Sequence, residues 1–338
     1  MRENGKTILE VDGLKKYYPI RKGFLKRTAG HVKAVDDVRF AVREGETFSL
    51  VGESGCGKST LGRCLLRAVE PTAGHVRFTL RSGETVDVPG LDGNKLKTVR
   101  REMQMVFQDP YSSLNPRMTV RQIVAEPLIL SGLARGAALE ERVAELIEMV
   151  GLNKGHLDRY PHAFSGGQRQ RIGIARALAT NPRFVICDEA VSALDVSVQA
   201  QVINLLQDLQ RSLGLSYLFI SHDLSVIEHI SHRIGVMYIG KMVEIGDAEA
   251  IFARPLHPYT EALLRSKPAA DPNMRKTRFV LQGEAANPAD PPSGCPFHPR
   301  CPYATGRCKT EKPELAEAEP GRSAACHYAG ELRLQGAG

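Results

Sequence analysis

The chain has 338 residues, 42% of them hydrophobic and 25% charged, and a formal net charge of +7. The length exceeds the needs of one ordinary domain, so one large domain with an appendage, or two domains, is expected, and the globular composition excludes a disordered, collagen-like or coiled-coil chain. No run reaches the roughly 18 uninterrupted apolar residues of a membrane-spanning helix.

Residues 1–12 lack the basic-then-apolar order of a signal peptide, so a cytosolic location is expected. Seven Cys then read as free thiols or metal ligands rather than a disulfide framework. The basic balance permits a nucleotide, nucleic acid or anionic lipid as partner.

In chain order, residues 13–35 carry seven Lys/Arg and no acid. The default reading is a solvated loop, the alternative a face toward lipid headgroups or phosphates. Thr47–Val51 is an apolar run entering a glycine-rich loop, which predicts a buried strand, and 58–67 follows as a helix. Leu139, Val143, Leu146 and Val150 recur at helical spacing with Gly151 as a stop. Residues 184–187 form a second buried strand ending in Asp188-Glu189. Val198, Val202, Leu205, Leu206, Leu209 and Leu213 line one helix face before Gly214. Runs 217–220 and 234–239 add two strands, the first followed by Ser221-His222-Asp223. Strands alternating with helices predict a largely parallel, covered sheet. From Pro255 onward lie 12 of the 20 Pro and 4 of the 7 Cys. The expected division is an α/β nucleotide-binding domain at 1–260 and a small Pro/Cys-rich extension at 261–338.

Gly52-Glu53-Ser54-Gly55-Cys56-Gly57-Lys58-Ser59 fits G-x-x-x-x-G-K-[ST] between a strand and a helix. Glycines let backbone N–H groups turn toward phosphate oxygens, and the helix start adds positive potential. Lys58 would reach the β- and γ-phosphates, and Ser59 would ligate Mg²⁺. Asp188 at a strand end can hold Mg²⁺, and Glu189 can act as general base on water. Phe164-Ser165-Gly166-Gly167-Gln168 reads either as a Ser cap with flexible glycines or as a second anion-facing helix start.

With these residues in place, the sequence resembles the nucleotide-binding subunit of an ABC transporter. Residues 52–59 match the Walker A loop, 184–189 the Walker B strand and 164–168 the signature. Gln108 before Asp109-Pro110 matches the Q-loop, Ser192-Ala193-Leu194-Asp195 the D-loop and His222 the switch histidine. Tyr18 falls where the family places an aromatic under the adenine, with Tyr17 as alternate. The resemblance covers about residues 8–255 and implies a P-loop NTPase cassette. That fold has a mostly parallel core sheet, an antiparallel β part and a helical signature subdomain. Gln108-Asp109-Pro110-Tyr111-Ser112-Ser113-Leu114-Asn115-Pro116, Arg159-Tyr160-Pro161-His162 and Asp195-Val196-Ser197-Val198-Gln199-Ala200-Gln201 resemble the dipeptide/oligopeptide importer branch. So do His257-Pro258-Tyr259-Thr260 and Pro291-Pro292-Ser293-Gly294-Cys295. The wording Val191-Ser192-Ala193-Leu194-Asp195 leans toward the second of that branch's two ATPases. Ala190 departs from the usual Pro, which implies a looser turn after the base.

The resemblance implies ATP and Mg²⁺ as cofactors, with Ser59, Gln108 and Asp188 around the metal. It implies Glu189, His222 and Gln108 as catalytic residues, and Tyr18, 52–60, Ser165, Gly166, Gly167, Gln168 and Asp195 as nucleotide contacts. Implied partners are a sister ATPase (a homodimer being possible), two membrane permeases, a helix of which would enter a groove lined by the segment from Gln108 to about Pro127, and, indirectly, an extracytoplasmic binding protein. The location would be peripheral, on the cytoplasmic face of the bacterial membrane. Nickel, glutathione or another small solute are alternative cargoes of the same branch. A soluble ABC ATPase acting on nucleic acid is the rival class, and it lacks support here: the chain has neither a second cassette nor an inserted nucleic-acid module.

Cys295, Cys301, Cys308 and Cys326 have intervening gaps of 5, 6 and 17 residues. No C-x₂₋₄-C knuckle is present, and four thiolates at wider spacing suit an iron–sulfur cluster. Some peptide-importer ATPases resembling this tail carry a [4Fe–4S] cluster there. Zinc helped by His298 or His327, and unligated thiols, stay open beside it. Cys64 and Cys187 read as small buried hydrophobes, and Cys56 as tolerated in the loop by its size.

Overall fold

The computed structural model describes residues 5–22, 27–109, 111–266, 283 and 286–337. Pro110 of the Q-loop and part of the basic run 13–35 therefore lie outside the described residues.

The elements run β1 (Thr7–Lys22), β2 (Arg27–Arg43), β3 (Thr47–Val51), α1 (Lys58–Leu65), β4 (Ala73–Thr79), β5 (Thr85–Asp87), α2 (Gly93–Glu102) and β6 (Met103–Val106). Then come α3 (Val120–Ser131), α4 (Gly136–Met149), α5 (Gly166–Leu178), β7 (Phe184–Asp188), α6 (Val196–Leu213), β8 (Ser216–Ile220), α7 (Leu224–Ile230) and β9 (Arg233–Tyr238). The last are β10 (Lys241–Asp247), α8 (Ala248–Ala253), α9 (Pro258–Ser266), α10 (Gly306–Thr310), β11 (Ala316–Glu319) and β12 (Arg322–Ala324). The described residues form two compact units, those within 1–9, 42–47 and 77–221, and those within 10–41, 48–76 and 222–338.

In the first unit β6, β7 and β8 are parallel neighbours, with Met103 opposite Phe184 and Phe184 opposite Ser216. Every residue of β7 and β8 is buried. The runs are continuous rather than alternating because both sheet faces are covered. Burying each large apolar side chain contributes about 1.5–3 kcal/mol. Strand β5 pairs antiparallel with the end of β4. Helices α3, α4 and α5 pack on one another as a helical bundle. Two capping boxes start its helices, Thr119 with Gln122 at α3 and Ser165 with Gln168 at α5.

In the second unit β3, buried throughout, pairs parallel with β9. Antiparallel β10, β12 and β11 continue beyond β9. Phe40 stacks on Phe48 with ring centroids 4.9 Å apart. The basic run 13–35, expected as a solvated loop, instead forms much of β1 and β2. Its charges hid a strand pattern whose apolar members, Leu14 and Val35, are fully buried. Among the described residues no helix is long and apolar enough to cross a membrane.

Candidate functional site

Strand β3 ends at Val51 and the glycine-rich loop turns directly into α1, as the motif requires. Gly57 is the N-cap of α1 at φ +108, and a Cβ there would meet the Ala34 carbonyl oxygen at 1.9 Å. Only glycine fits this cradle. Gly240 N–H donates to the Cys56 carbonyl at 2.9 Å and secures the loop from β9's end. Lys58 is 4% exposed. Its ammonium donates to the carbonyls of Gly52 at 2.7 Å and Glu53 at 2.9 Å, and faces Cys56 Sγ at 3.6 Å. The lysine thus spans the loop it follows, with its charge held on backbone oxygens. Burial pushes the Cys56 thiol up, against the lowering pull of Lys58. Ser54, Gly55, Ser59 and Thr60 continue the same loop and helix start.

Tyr18 is 39% exposed, with Lys16 Nζ 4.9 Å above its ring. Tyr17 is committed elsewhere: its hydroxyl donates to Asp36 at 2.5 Å, and Lys241 holds the same carboxylate at 2.6 Å. Of the two tyrosines, Tyr18 is the more exposed. His222 is exposed. It precedes Asp223, which caps α7 by accepting from Ser225 N–H at 2.8 Å.

The first unit carries the acidic pair. Asp188 is 1% exposed at the end of β7. Glu189 takes the left-handed conformation at φ +49, although it is not glycine. Its amide donates to the Ile220 carbonyl at 2.9 Å. Gln108 Nε2 donates to Glu189 Oε2 at 2.7 Å, which joins two motifs 81 residues apart. The turn after Glu189 is tied rather than loose. Ala190 is buried, and Ser192 donates to the Glu189 carbonyl through its amide at 3.1 Å and its hydroxyl at 3.0 Å.

Ser165 Oγ accepts from Gln168 N–H at 3.3 Å, and Gln168 Oε1 accepts from Ser165 N–H at 3.0 Å. The box engages neither the Gly166 nor the Gly167 amide, so both cap and anion-facing roles are compatible at this helix start. Asp195 accepts from Val198 N–H at 3.0 Å as the N-cap of α6. The sequence reading missed how the Q-loop segment rests on the signature helix. Arg169 lies 3.9 Å over the Tyr111 ring and donates to the Pro161 carbonyl at 2.7 Å. Arg176 donates to the Ser113 carbonyl at 2.6 Å.

The ABC transporter pattern matches residues 35–192, and the pattern for the oligopeptide/dipeptide transporter C-terminal region matches 243–308. The chain is 53% identical over 327 residues to the oligopeptide transport ATP-binding protein AppF of Bacillus subtilis, covering 96% of this chain and 98% of the relative. The chain belongs to the ABC transporter family. The dipeptide transport ATP-binding protein DppF of Haemophilus influenzae is 49% identical over 95% of this chain and 96% of its own. Among solved structures, the ATP-binding cassette MJ0796, in a dimeric post-hydrolysis state bound to ADP and Pi, aligns at TM-score 0.62. That likeness has 29% identity and covers 71% of this chain and 99% of the other.

The C-terminal region of this ABC protein reaches its glycine-rich loop. Glu53 N–H donates to the Tyr259 hydroxyl at 2.8 Å, and Arg300 holds the Glu53 carboxylate through both terminal nitrogens at 3.0 Å each. These contacts, 206 and 247 residues apart, leave no signal in local spacing. Burial pulls His257 down to about 4, and its neutral Nδ1 accepts from Tyr259 N–H at 3.0 Å. Cys295, Cys301, Cys308 and Cys326 line one cavity together with His298 and His327. Burial pushes the Cys301 thiol up to about 12 and that of Cys326 to about 11. His298 and His327 each contact a backbone carbonyl, of Cys295 and Glu311 respectively, at 2.9 Å. Among the described residues no group of three or more His, Cys, Asp or Glu side chains is arranged to hold a metal ion. The expected iron–sulfur or zinc centre is therefore not supported. Cys64 and Cys187 are fully buried.

Proposed function

We propose that this ABC ATPase subunit powers import of di- or oligopeptides as one of two paired ATPases beneath two permeases. The observation that carries the reading is the glycine-cornered loop holding Lys58 in a chain about half identical, over nearly its whole length, to peptide-transport ATP-binding proteins. Two features support a triphosphate there: the backbone turns where a Cβ would block it, and Lys58 lies buried within the loop.

Lys58 and amides of the loop and helix start would bind the phosphates, the Glu53 amide excepted because the Tyr259 hydroxyl already accepts from it, and Tyr18 would stack on the base. Ser59, Gln108 and Asp188 would hold Mg²⁺, which neutralises phosphate charge when bound. Glu189 would orient and deprotonate water, with its carboxylate aimed by Gln108. His222 and a partner subunit's Ser165–Gln168 segment would stabilise the developing charge, Asp195 lying beside it. One loop and one signature per chain support a paired site, as does the dimeric cassette to which the chain is similar. Exposed Phe107, Tyr111, Ile129, Leu130 and Leu133 support a permease contact on the first unit. The chain would then lie peripherally on the cytoplasmic face. The division into an ATPase domain at 1–260 and an extension at 261–338 belongs to the same proposal.

A [4Fe–4S] cluster or zinc ion at the four-cysteine cavity supplies no step here, because the thiols are not arranged as ligands. Stoichiometric iron with broad visible absorbance in anaerobically purified protein would reinstate the cluster.

Vesicles carrying the permeases and both ATPases test the transport reading. Labelled peptide, delivered by the binding protein, should enter only with ATP and with this chain present. Uptake that persists without the chain, or assembly that never moves peptide, would reject it.

A further inference from the structure

We propose that Arg300 is a positioning residue for nucleotide binding: it neutralises and holds Glu53, and through it the C-terminal region sets the affinity of the phosphate loop. This rests on reading residues 52–59 as the nucleotide phosphate site.

Glu53 is the second residue of the loop and is gripped at three points. Its carboxylate takes the Arg300 fork at 3.0 Å on each oxygen, its amide donates to the Tyr259 hydroxyl at 2.8 Å, and its carbonyl accepts from Lys58 at 2.9 Å. The Arg300 side chain is 8% exposed and that of Glu53 27%, so water screens the pair weakly. Arg300 is itself fixed from the extension. Its amide donates to the Phe297 carbonyl at 3.0 Å, and Phe297 packs edge-on to Tyr259 and Tyr238 at 5.4 Å. Two arms of the C-terminal region, one from α9 and one from the segment before Cys301, thus meet on one loop residue.

The charge argument sets the direction. A carboxylate one residue after Gly52 opposes an arriving polyanion, and the repulsion is strong where solvent is excluded. Arg300 cancels that charge, and its planar fork also fixes the side chain away from free rotation. A bare structural strut would add stability, but it would not make affinity depend on the charge of Glu53.

The test is equilibrium binding of MgATP to the full chain at low and at high salt, with thermal melting run alongside. Arg300→Ala should weaken binding by about tenfold at low salt, and the deficit should shrink at high salt. Arg300→Lys, which keeps charge and fold but loses the fork, should fall between wild type and Arg300→Ala. Adding Glu53→Gln to Arg300→Ala should restore affinity to within about threefold of wild type, because the uncompensated charge is gone. Wild-type affinity in both Arg300 variants would overturn the proposal. So would a double variant as weak as Arg300→Ala, or a deficit indifferent to salt. Lys58→Ala separates the two readings: if it too leaves MgATP binding unchanged, the phosphate-site assignment has failed. If Lys58→Ala abolishes binding while the Arg300 variants do nothing, only the positioning role has failed.

Discussion

Glu189 occupies a backbone conformation that costs a non-glycine residue about 1–3 kcal/mol. The cost is met by bonds to both backbone groups and to the carboxylate, from Ile220, Ser192 and Gln108. A carboxylate held so firmly at a strand end fits a base that must aim at one water. Glu189→Gln, assembled with its partners, should lose at least about 100-fold in turnover and keep ATP affinity within about threefold. Hydrolysis rates and nucleotide titration on the same preparation check this. Asp36 tests a different balance. Burial acts to raise its carboxyl, but hydrogen bonds from Lys241 and Tyr17 outweigh burial and leave it lowered. A lowered folded value means that this stabilisation is complete above about pH 4 and drains away as pH falls through the folded value. Asp36→Asn should be less stable than wild type near neutrality by on the order of 1–3 kcal/mol, and the gap should narrow below about pH 4. Urea midpoints of the two proteins across pH measure it.

Element by element, the strands bearing chemistry were legible because covered parallel strands must be apolar without interruption. Runs 184–187 and 217–220 came within one residue of β7 and β8, and Gly214 marked the end of α6. Glycine and capping residues announce helix ends through local chemistry. The strands β1 and β2 were illegible because their lysines and arginines outweigh a few buried positions. The Tyr259 and Arg300 contacts on Glu53 were illegible for another reason: no local period records a meeting of distant segments. Gly167 shows how tightly the signature helix is set. A Cβ there would meet Val198 Cγ1 of α6 at 2.2 Å. Gly167→Ala should destabilise the protein by about 1–3 kcal/mol, and Val198→Ala in the same chain should recover part of the loss. Chemical denaturation of the single and double variants reads the coupling.

Over the whole molecule, one phosphate loop and one Ser-Gly-Gly helix start lie in separate compact units of each chain. In the pairing proposed above, each loop would be completed by the signature segment of the partner chain. The isolated chain should therefore bind ATP yet hydrolyse it slowly, with specific activity rising with protein concentration or with added sister ATPase. Dilution series of the single chain and of the mixture measure this. The most direct measurement is magnesium-dependent ATP hydrolysis by the full assembly in vesicles, with and without peptide-loaded binding protein. Turnover should rise when the loaded binding protein is added and disappear with Lys58→Ala in this chain. Turnover that continues undiminished in Lys58→Ala would contradict a nucleotide site built on that lysine.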